Sequence, residues 1–577
     1  MKNNKYHHLS YLEKDNDQIS LTKSYIHQGS TEPLKWTTIG QQLQHTAEKF
    51  PTNEALVAVW KNERYTYEHF YKICKRAAKG LIQMGVKKGD RVGIWATNYT
   101  EWVITQFSTA MIGAVLVTIN PALREHELEY ILRDSECQTL ILIEQFKSSK
   151  YLNMFYNVFP EAKKQMPGNL HSYKFPHLKN VIVLAKDGKP GMYTSQDVLG
   201  QGKEVSNTVF EERQASLDPD DIINIQYTSG TTGFPKGACL THHNIVNNAF
   251  FVGRNMQFTE KDRLCIPVPF YHCFGMVVSN MLCINYGATM VIPGEFFSPR
   301  CTMEAASKEK CTAMHGVPTM FISQLEHPDF HTFDFSSLRT GIMAGAPCPI
   351  ELMNKVRDVM GIKEITICYG LTETSPVINQ TRIDDPVHLR VETVGPPLQH
   401  TEIKIIDPET SHVVSIGQPG EICIRGFQVM KCYHNKPEET HNTIDETRWL
   451  HTGDIGTMDA QGYCRITGRL KDMIIRGGEN IYPREIEEYL YGHPDIVDVS
   501  VFGIPDEKYG EEIAAWIQPQ KNSNLTTDDI HQFCKGKISH QKIPKFIKFV
   551  QEFPMTATGK IQKFRMKELY AEELGKN

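Results

Sequence analysis

Thr228, Ser229, Gly230, Thr231, Thr232 and Gly233, followed by Lys236, put hydroxyls, glycines and one cation into a single short run, TSGTTGFPKG. Glycines let backbone N–H groups approach an anion closely, and a lysine adds charge, so the run suits a polyphosphate. A P-loop would place Ser or Thr directly after the lysine, whereas Gly237 stands there, so the phosphate loop is of another kind. A solvent-exposed turn has a similar composition over six residues; ten residues between a strand and a helix favour the anion site. A second run, YGLTETSP (369–376), brings Tyr369, Gly370, Thr372 and Glu373 to a strand exit, where α/β sheets hold their ligands. Magnesium takes one or two protein oxygens and leaves its other positions to water and phosphate, so Glu373 with Thr228 suits Mg²⁺. Tyr369 offers a flat face on which a planar ring could stack. A capping Thr-Glu beside a core tyrosine is the plain alternative.

These runs need elements to position them. Ile222, Ile223 and Ile225 make a short β-branched strand ahead of the loop, and THHNIVNNAFF (241–251) has helical spacing behind it. From the helix IGQQLQHTAEKF (39–50) onward, strands and helices alternate through RVGIWAT (91–97), GAVLVTIN (113–120), HELEYILRDS (126–135), TLILIE (139–144), NVIVLA (180–185), TGIMAG (340–345) and EITICYG (364–370). Continuous apolar runs between helices predict parallel strands covered on both faces. EIKIID (402–407) and GEICIRG (420–426) alternate more strictly and predict an antiparallel, barrel-like subdomain. The fold class is therefore α/β: a large N-terminal domain of layered parallel sheets plus a small β-barrel-like subdomain, followed by a small α+β C-terminal domain. The divisions fall at 1–35, a polar arm; 36–470, the large domain; and 471–577, the C-terminal unit. The latter holds a helix at 484–492, strands at 498–504 and 512–518, and a helix at 527–538. Residues 145–178, polar and proline-containing, read as an excursion from the core.

With 577 residues the chain can bury a large core, and its net charge of −5 provides no global field for nucleic acid. The greasiest stretch, Ala110 to Ile119, has half the length of a membrane span and reads as a core strand, so no transmembrane segment is expected. The 14 cysteines occur singly with no CxxC pair, which argues against a structural zinc and for a reducing compartment. The N-terminus lacks an apolar signal segment, so the expected location is cytoplasmic.

TSGTTGFPKG resembles the signature of the adenylate-forming, AMP-binding enzymes, and the likeness continues from about residue 40 to about 566, nearest to fatty and medium-chain acyl-CoA ligases. That resemblance implies ATP, Mg²⁺ and coenzyme A, and a reaction through an acyl-adenylate. It gives Gly345, Ala346 and Pro347 of AGAPCP the lining of the adenine pocket. It gives Asp454 of HTGDIG the ribose hydroxyls, with Arg469 beside it; a plain cap or salt bridge would serve either residue equally well. Lys560 of PMTATGK takes the catalytic cation's role. Gly477, Gly478 and Glu479 of RGGEN would line the pantetheine tunnel, His272 of PFYHCFG would gate the acyl or thiol channel, and Gly316 of HGVPTM would flank the acyl pocket. His272 is as readily a hydrogen-bonded core residue. Lys535, with Lys537, would meet the CoA 3′-phosphate or simply form a solvated helix face. Residues 471–577 would swing as a lid about Lys471. The resemblance also allows a homodimer.

Departures from sister families narrow the substrate. Tyr271-His272-Cys273-Phe274 lacks the aspartate that pairs an amino acid's ammonium, and Cys368-Tyr369-Gly370-Leu371 lacks the tryptophan that floors an acetate pocket. Each further methylene buried is worth about 0.8 kcal/mol, so a medium- to long-chain fatty acid is expected. The chain ends without a carrier domain, which favours free CoA as acceptor. An acyl carrier protein as acceptor, or a non-catalytic nucleotide- or acyl-binding relative, are the alternatives.

Overall fold

The structure is a computed structural model that describes residues 21–228, 235–477, 479–521, 523–555, 561–573 and 575. Two eight-stranded sheets carry the large N-terminal part. In the first, six strands run parallel in the order Ile222–Thr228, Val115–Thr118, Arg91–Trp95, Thr139–Leu142, Asn180–Val183, Tyr193–Thr194. Lys236–Thr241 returns antiparallel along Ile222–Thr228, and Cys432–Tyr433 pairs antiparallel with that return strand. The second sheet is parallel across Glu364–Gly370, Thr340–Ala344, Ala313–Gly316, Arg263–Cys265, Thr289–Ile292 and Glu54–Ala58, with antiparallel edges at Val377–Gln380 and Glu63–Thr66. Strands such as VLVT, TLIL and NVIV are buried at every position, as parallel strands covered on both faces must be.

A third, five-stranded antiparallel sheet runs Tyr25–Gln28, Thr401–Ile406, Gly420–Gly426, Leu450–Met458, Cys464–Arg469. One continuous apolar core joins all three sheets, through residues such as Leu116, Ile342 and Ile403. The polypeptide leaves the third sheet at Arg469, makes a 3₁₀ turn at Leu470–Asp472, and enters a fourth sheet. That sheet has its own core, including Ile486, Leu490, Val501, Ile513 and Ile530, against the helices Pro483–Tyr491 and Thr527–Cys534.

Four expectations change. The run Ala110–Ile119 is not one strand: it is the end of helix Thr100–Ile112, a left-handed cap at Gly113 (φ 71°), and then the strand Val115–Thr118. A helix that buries every residue except Glu101 has no polar face to reveal its period, so helix and strand read alike. Residues 145–178 are no excursion, because Tyr151, Phe155, Phe159, Leu170 and Phe175 all join the main core. The polar arm is shorter than 1–35, since Tyr25–Gln28 is the edge strand of the third sheet. The helix expected over 527–538 stops at Cys534, with Gly536 at φ 71°, so Lys535 and Lys537 are not on a helix face.

Candidate active site

The antiparallel pairing of Ile222–Thr228 with Lys236–Thr241 sets Thr228 opposite Lys236, so the two residues that flank the expected phosphate loop lie side by side. Ser229, Gly230, Thr231, Thr232 and Gly233 lie outside the described residues. The Thr228 hydroxyl donates to the carbonyl of Lys236 at 3.3 Å. The Lys236 ammonium sits 5.1 Å from the centre of the Tyr433 ring, a cation–π approach. Tyr433 is on the edge strand that pairs with Lys236–Thr241, opposite Ala238. Its hydroxyl donates to Glu373 Oε1 at 2.6 Å. Partial burial and the Glu373 carboxylate push the Tyr433 hydroxyl's pKa up, so it stays a donor. Lys236, Tyr433 and Glu373 thus form a connected row at the loop's base.

Glu373 and Thr372 occupy the 3₁₀ turn Thr372–Thr374 that follows the strand Glu364–Gly370. Thr374 Oγ1 accepts from the N–H of Leu371 at 3.0 Å and donates to the carbonyl of Pro376 at 2.8 Å, closing the turn. The Met430 N–H donates to the Glu373 carbonyl at 2.8 Å. Gly370 is fixed by packing: a Cβ there would lie 1.9 Å from the Pro376 carbonyl oxygen.

Tyr369, one residue earlier, reaches a different partner. Its hydroxyl donates to Asp454 Oδ2 at 2.7 Å, while Arg469 Nε donates to Asp454 Oδ1 at 3.1 Å. Asp454 and Arg469 are direct partners across the antiparallel strands Leu450–Met458 and Cys464–Arg469. Asp454 is only 4% exposed, and a carboxylate oxygen can accept from more than one donor. Partial burial and the neighbouring Asp454 charge push the Tyr369 hydroxyl's pKa up. Lys471 follows in the 3₁₀ turn with its side chain exposed, its pKa lowered by desolvation and by the neighbouring Arg469 charge.

Gly345, at φ 86°, turns the chain out of Thr340–Ala344, with Ala346 and Pro347 next. The C-terminal part rests on this turn: Arg484 Nη2 donates to the Cys348 carbonyl at 3.5 Å. Gly316 ends the strand Ala313–Gly316, and a Cβ there would come within 2.9 Å of the Phe321 ring. His272 caps the short helix Cys273–Gly275, its Nδ1 accepting from the Phe274 N–H at 3.2 Å. Neighbouring His315 is fully buried, shares a hydrogen bond of 3.1 Å with Ser279 Oγ, and is held neutral by burial, its pKa down at about 3.

RGGEN forms a hairpin rather than one strand: Ile474–Arg476 pairs with Glu479–Ile481, and Gly477 turns at φ 62°. Glu479 accepts from Gln541 Nε2 at 2.6 Å and Lys535 is exposed, so hydrogen bonds among the described residues tie neither to the Glu373 or Asp454 groups. Gly478 and Lys560 lie outside the described residues. Tyr433 escaped the sequence reading because its place depends on an edge pairing between distant segments. The flanking motif carries no local signal for it.

The model of the AMP-binding enzyme family matches residues 43–434, and that of the AMP-binding enzyme C-terminal domain matches 485–560. A Bacillus subtilis (strain 168) protein provisionally named acyl-CoA synthetase YngI is 51% identical over 92% of this chain and 97% of its own. The medium-chain acyl-CoA ligase ACSF2, mitochondrial, of Danio rerio is 45% identical over 96% of this chain and 92% of its own. Among solved structures, ATP-bound MatB from Rhodopseudomonas palustris superposes with a TM-score of 0.80 at 26% identity, covering 93% of this chain and 100% of that one.

Proposed function

The chain belongs to the AMP-binding enzyme family, and on that premise we propose that it is an ATP-dependent, AMP-forming acid–CoA ligase acting on medium- to long-chain fatty acids. The observation that carries the site assignment is the Lys236–Tyr433–Glu373 row beside Thr228, which joins the phosphate loop to the strand exit at Tyr369.

In the first half-reaction a carboxylate oxygen of the acid attacks the α-phosphorus of ATP, and the bond to the β-phosphate breaks with release of pyrophosphate. Thr228, the loop 229–233 and Lys236 hold the phosphates. Tyr369 faces the adenine, Gly345, Ala346 and Pro347 line its pocket, and Asp454 with Arg469 holds the ribose. Lys560 meets the negative charge that develops at the α-phosphate; such a preorganised charge is worth on the order of 10²–10³ in rate. In the second half-reaction the CoA thiol attacks the acyl carbon, its proton passes to solvent, and AMP leaves.

The donor set at Glu373 fits Mg²⁺. Oε1 is taken by Tyr433, Oε2 remains as a hard oxygen ligand, and the Thr228 hydroxyl is a second oxygen donor. Bound there, the ion would supply positive charge to the triphosphate. Residues 471–577 act as the lid, with Lys471 as hinge and His272, Gly316, Gly477, Gly478, Glu479 and Lys535 along the acyl and CoA paths. The residues at 271–274 and 368–371 support a fatty acyl substrate. No helix among the described residues is long and apolar enough to cross a membrane. All 14 cysteines are free thiols, which supports a cytoplasmic setting.

Incubation with ATP, Mg²⁺, CoA and straight-chain fatty acids of increasing length, with AMP and acyl-CoA followed by mass, tests the proposal. Both products should appear together. AMP without thioester would overturn CoA as acceptor, and absence of both would overturn the ligase reading.

A further inference from the structure

The third sheet brings together three metal-ligating side chains outside the nucleotide site. Glu421 and Cys423 are two residues apart on Gly420–Gly426 and therefore share a face, and His451 stands directly opposite Cys423 on Leu450–Met458. The His451 Nδ1 lies 3.0 Å from Glu421 Oε2 and 3.5 Å from Cys423 Sγ, and the three ligand atoms all fall within 4.8 Å of one another. The Gly453 N–H donates to Glu421 Oε1 at 3.0 Å, which leaves Oε2, the Cys423 sulfur and His451 Nδ1 as the ligand atoms that face one another. A tetrahedral ion with ordinary zinc–ligand bonds would separate N from O by about 3.3 Å and N from S by about 3.6 Å, close to what is seen. On the ring's other side, Nε2 is 3.7 Å from Asp445 Oδ2, an ion-pair separation longer than a hydrogen bond, on the side from which a carboxylate orients a metal-bound imidazole. Cys423 is fully buried, Glu421 is 9% exposed, and His451 is half-buried, which opens the cluster to solvent on the histidine side.

We propose that Glu421, Cys423 and His451 bind one soft divalent transition-metal ion of the zinc class, with Asp445 orienting the imidazole and water completing the tetrahedron. Thiolate plus imidazole selects such an ion over magnesium or calcium. The ligands come from sheet register, with no CxxC spacing to announce them, and the ion is exchangeable and separate from any bound with the triphosphate.

Titration of the full-length, chelator-treated protein with Co²⁺ tests this, read by thiolate-to-cobalt charge-transfer absorption and by displacement with Zn²⁺. The band should saturate at one ion per chain and vanish in Cys423→Ser, and Asp445→Asn should weaken binding roughly 10–100-fold. No charge-transfer band in the wild type, or an undiminished band in Cys423→Ser, would overturn the proposal. Should circular dichroism show that Cys423→Ser is unfolded, His451→Gln provides the comparison and must lose the band as well.

Discussion

The Tyr433 hydroxyl donates to Glu373 at 2.6 Å while the same ring carries the Lys236 ammonium on its face. One aromatic residue from an edge strand thereby connects the base of the phosphate loop to the proposed magnesium ligand. A hydrogen bond to a charged group contributes about 1.5–3 kcal/mol. Tyr433→Phe keeps the ring under Lys236 and removes only the donor. It should lower kcat/KM for adenylate formation about 10–100-fold and raise the Mg²⁺ concentration giving half-maximal rate. An unchanged Mg²⁺ dependence in ATP–pyrophosphate exchange would show that Tyr433 does not position Glu373.

Asp454 is fixed by its strand pairing with Arg469, while the Tyr369 hydroxyl reaches it from another sheet, so Tyr369→Phe should leave the fold intact. On the proposed reading the variant weakens ATP binding, raising KM more than it lowers kcat, and isothermal titration with AMP should show a parallel loss. A pure kcat effect would separate Tyr369 from nucleotide binding.

The two half-reactions should separate under mutation. Lys471→Pro should leave acyl-adenylate formation largely intact and cripple thioester formation, because proline fixes φ at the proposed hinge. Lys560→Ala should do the reverse, lowering adenylate formation on the order of 10²–10³-fold while sparing thiolysis of a synthetic acyl-adenylate. Equal loss of both steps in each variant would refute a moving lid.

Gly370→Ala tests packing rather than chemistry. The added Cβ meets the Pro376 carbonyl oxygen at 1.9 Å, and overpacking of this kind costs about 1–3 kcal/mol. The denaturation midpoint of the large domain should fall; an unmoved midpoint would mean that the turn yields without penalty.

Burial holds His242 and His315 neutral, each with its pKa lowered to about 3. In the unfolded chain each titrates near 6.5, so the unfolded state binds more protons between pH 6.5 and 3. Stability is therefore full above pH 6.5 and is lost as pH falls, by about 2 kcal/mol per histidine at pH 5. Gln at position 242 can still accept from the Ile39 N–H, the bond that His242 Nδ1 makes at 3.1 Å. Urea unfolding of His242→Gln between pH 8 and 5 should show a pH slope smaller by one proton. An unaltered slope would exclude His242 as a source of acid lability.

Much of the candidate site's local structure was legible because it lies in short runs. The strand, loop and return around Thr228 follow from apolar β-branched residues, glycines and hydroxyls in one run, and Glu373 stands directly after its strand. Gly370, taken from the sequence as a nucleotide contact, has a packing reason that only the turn at Pro376 reveals. Tyr433 and the Glu421–Cys423–His451 cluster depend on which residue faces which across paired strands, and no short window of sequence fixes that. Helix Thr100–Ile112 was hidden for a different reason: it is buried on every side, so its Thr, Gln and Ser residues mark no solvent face.

Arg469 closes a strand partnered with Asp454, and the 3₁₀ turn bearing Lys471 begins at the very next residue. The proposed sugar grip and the proposed pivot are thus adjacent links of one backbone, with no intervening relay. Departure of AMP would relax the grip and free the pivot in the same motion, so product release and resetting of the lid would be a single kinetic event.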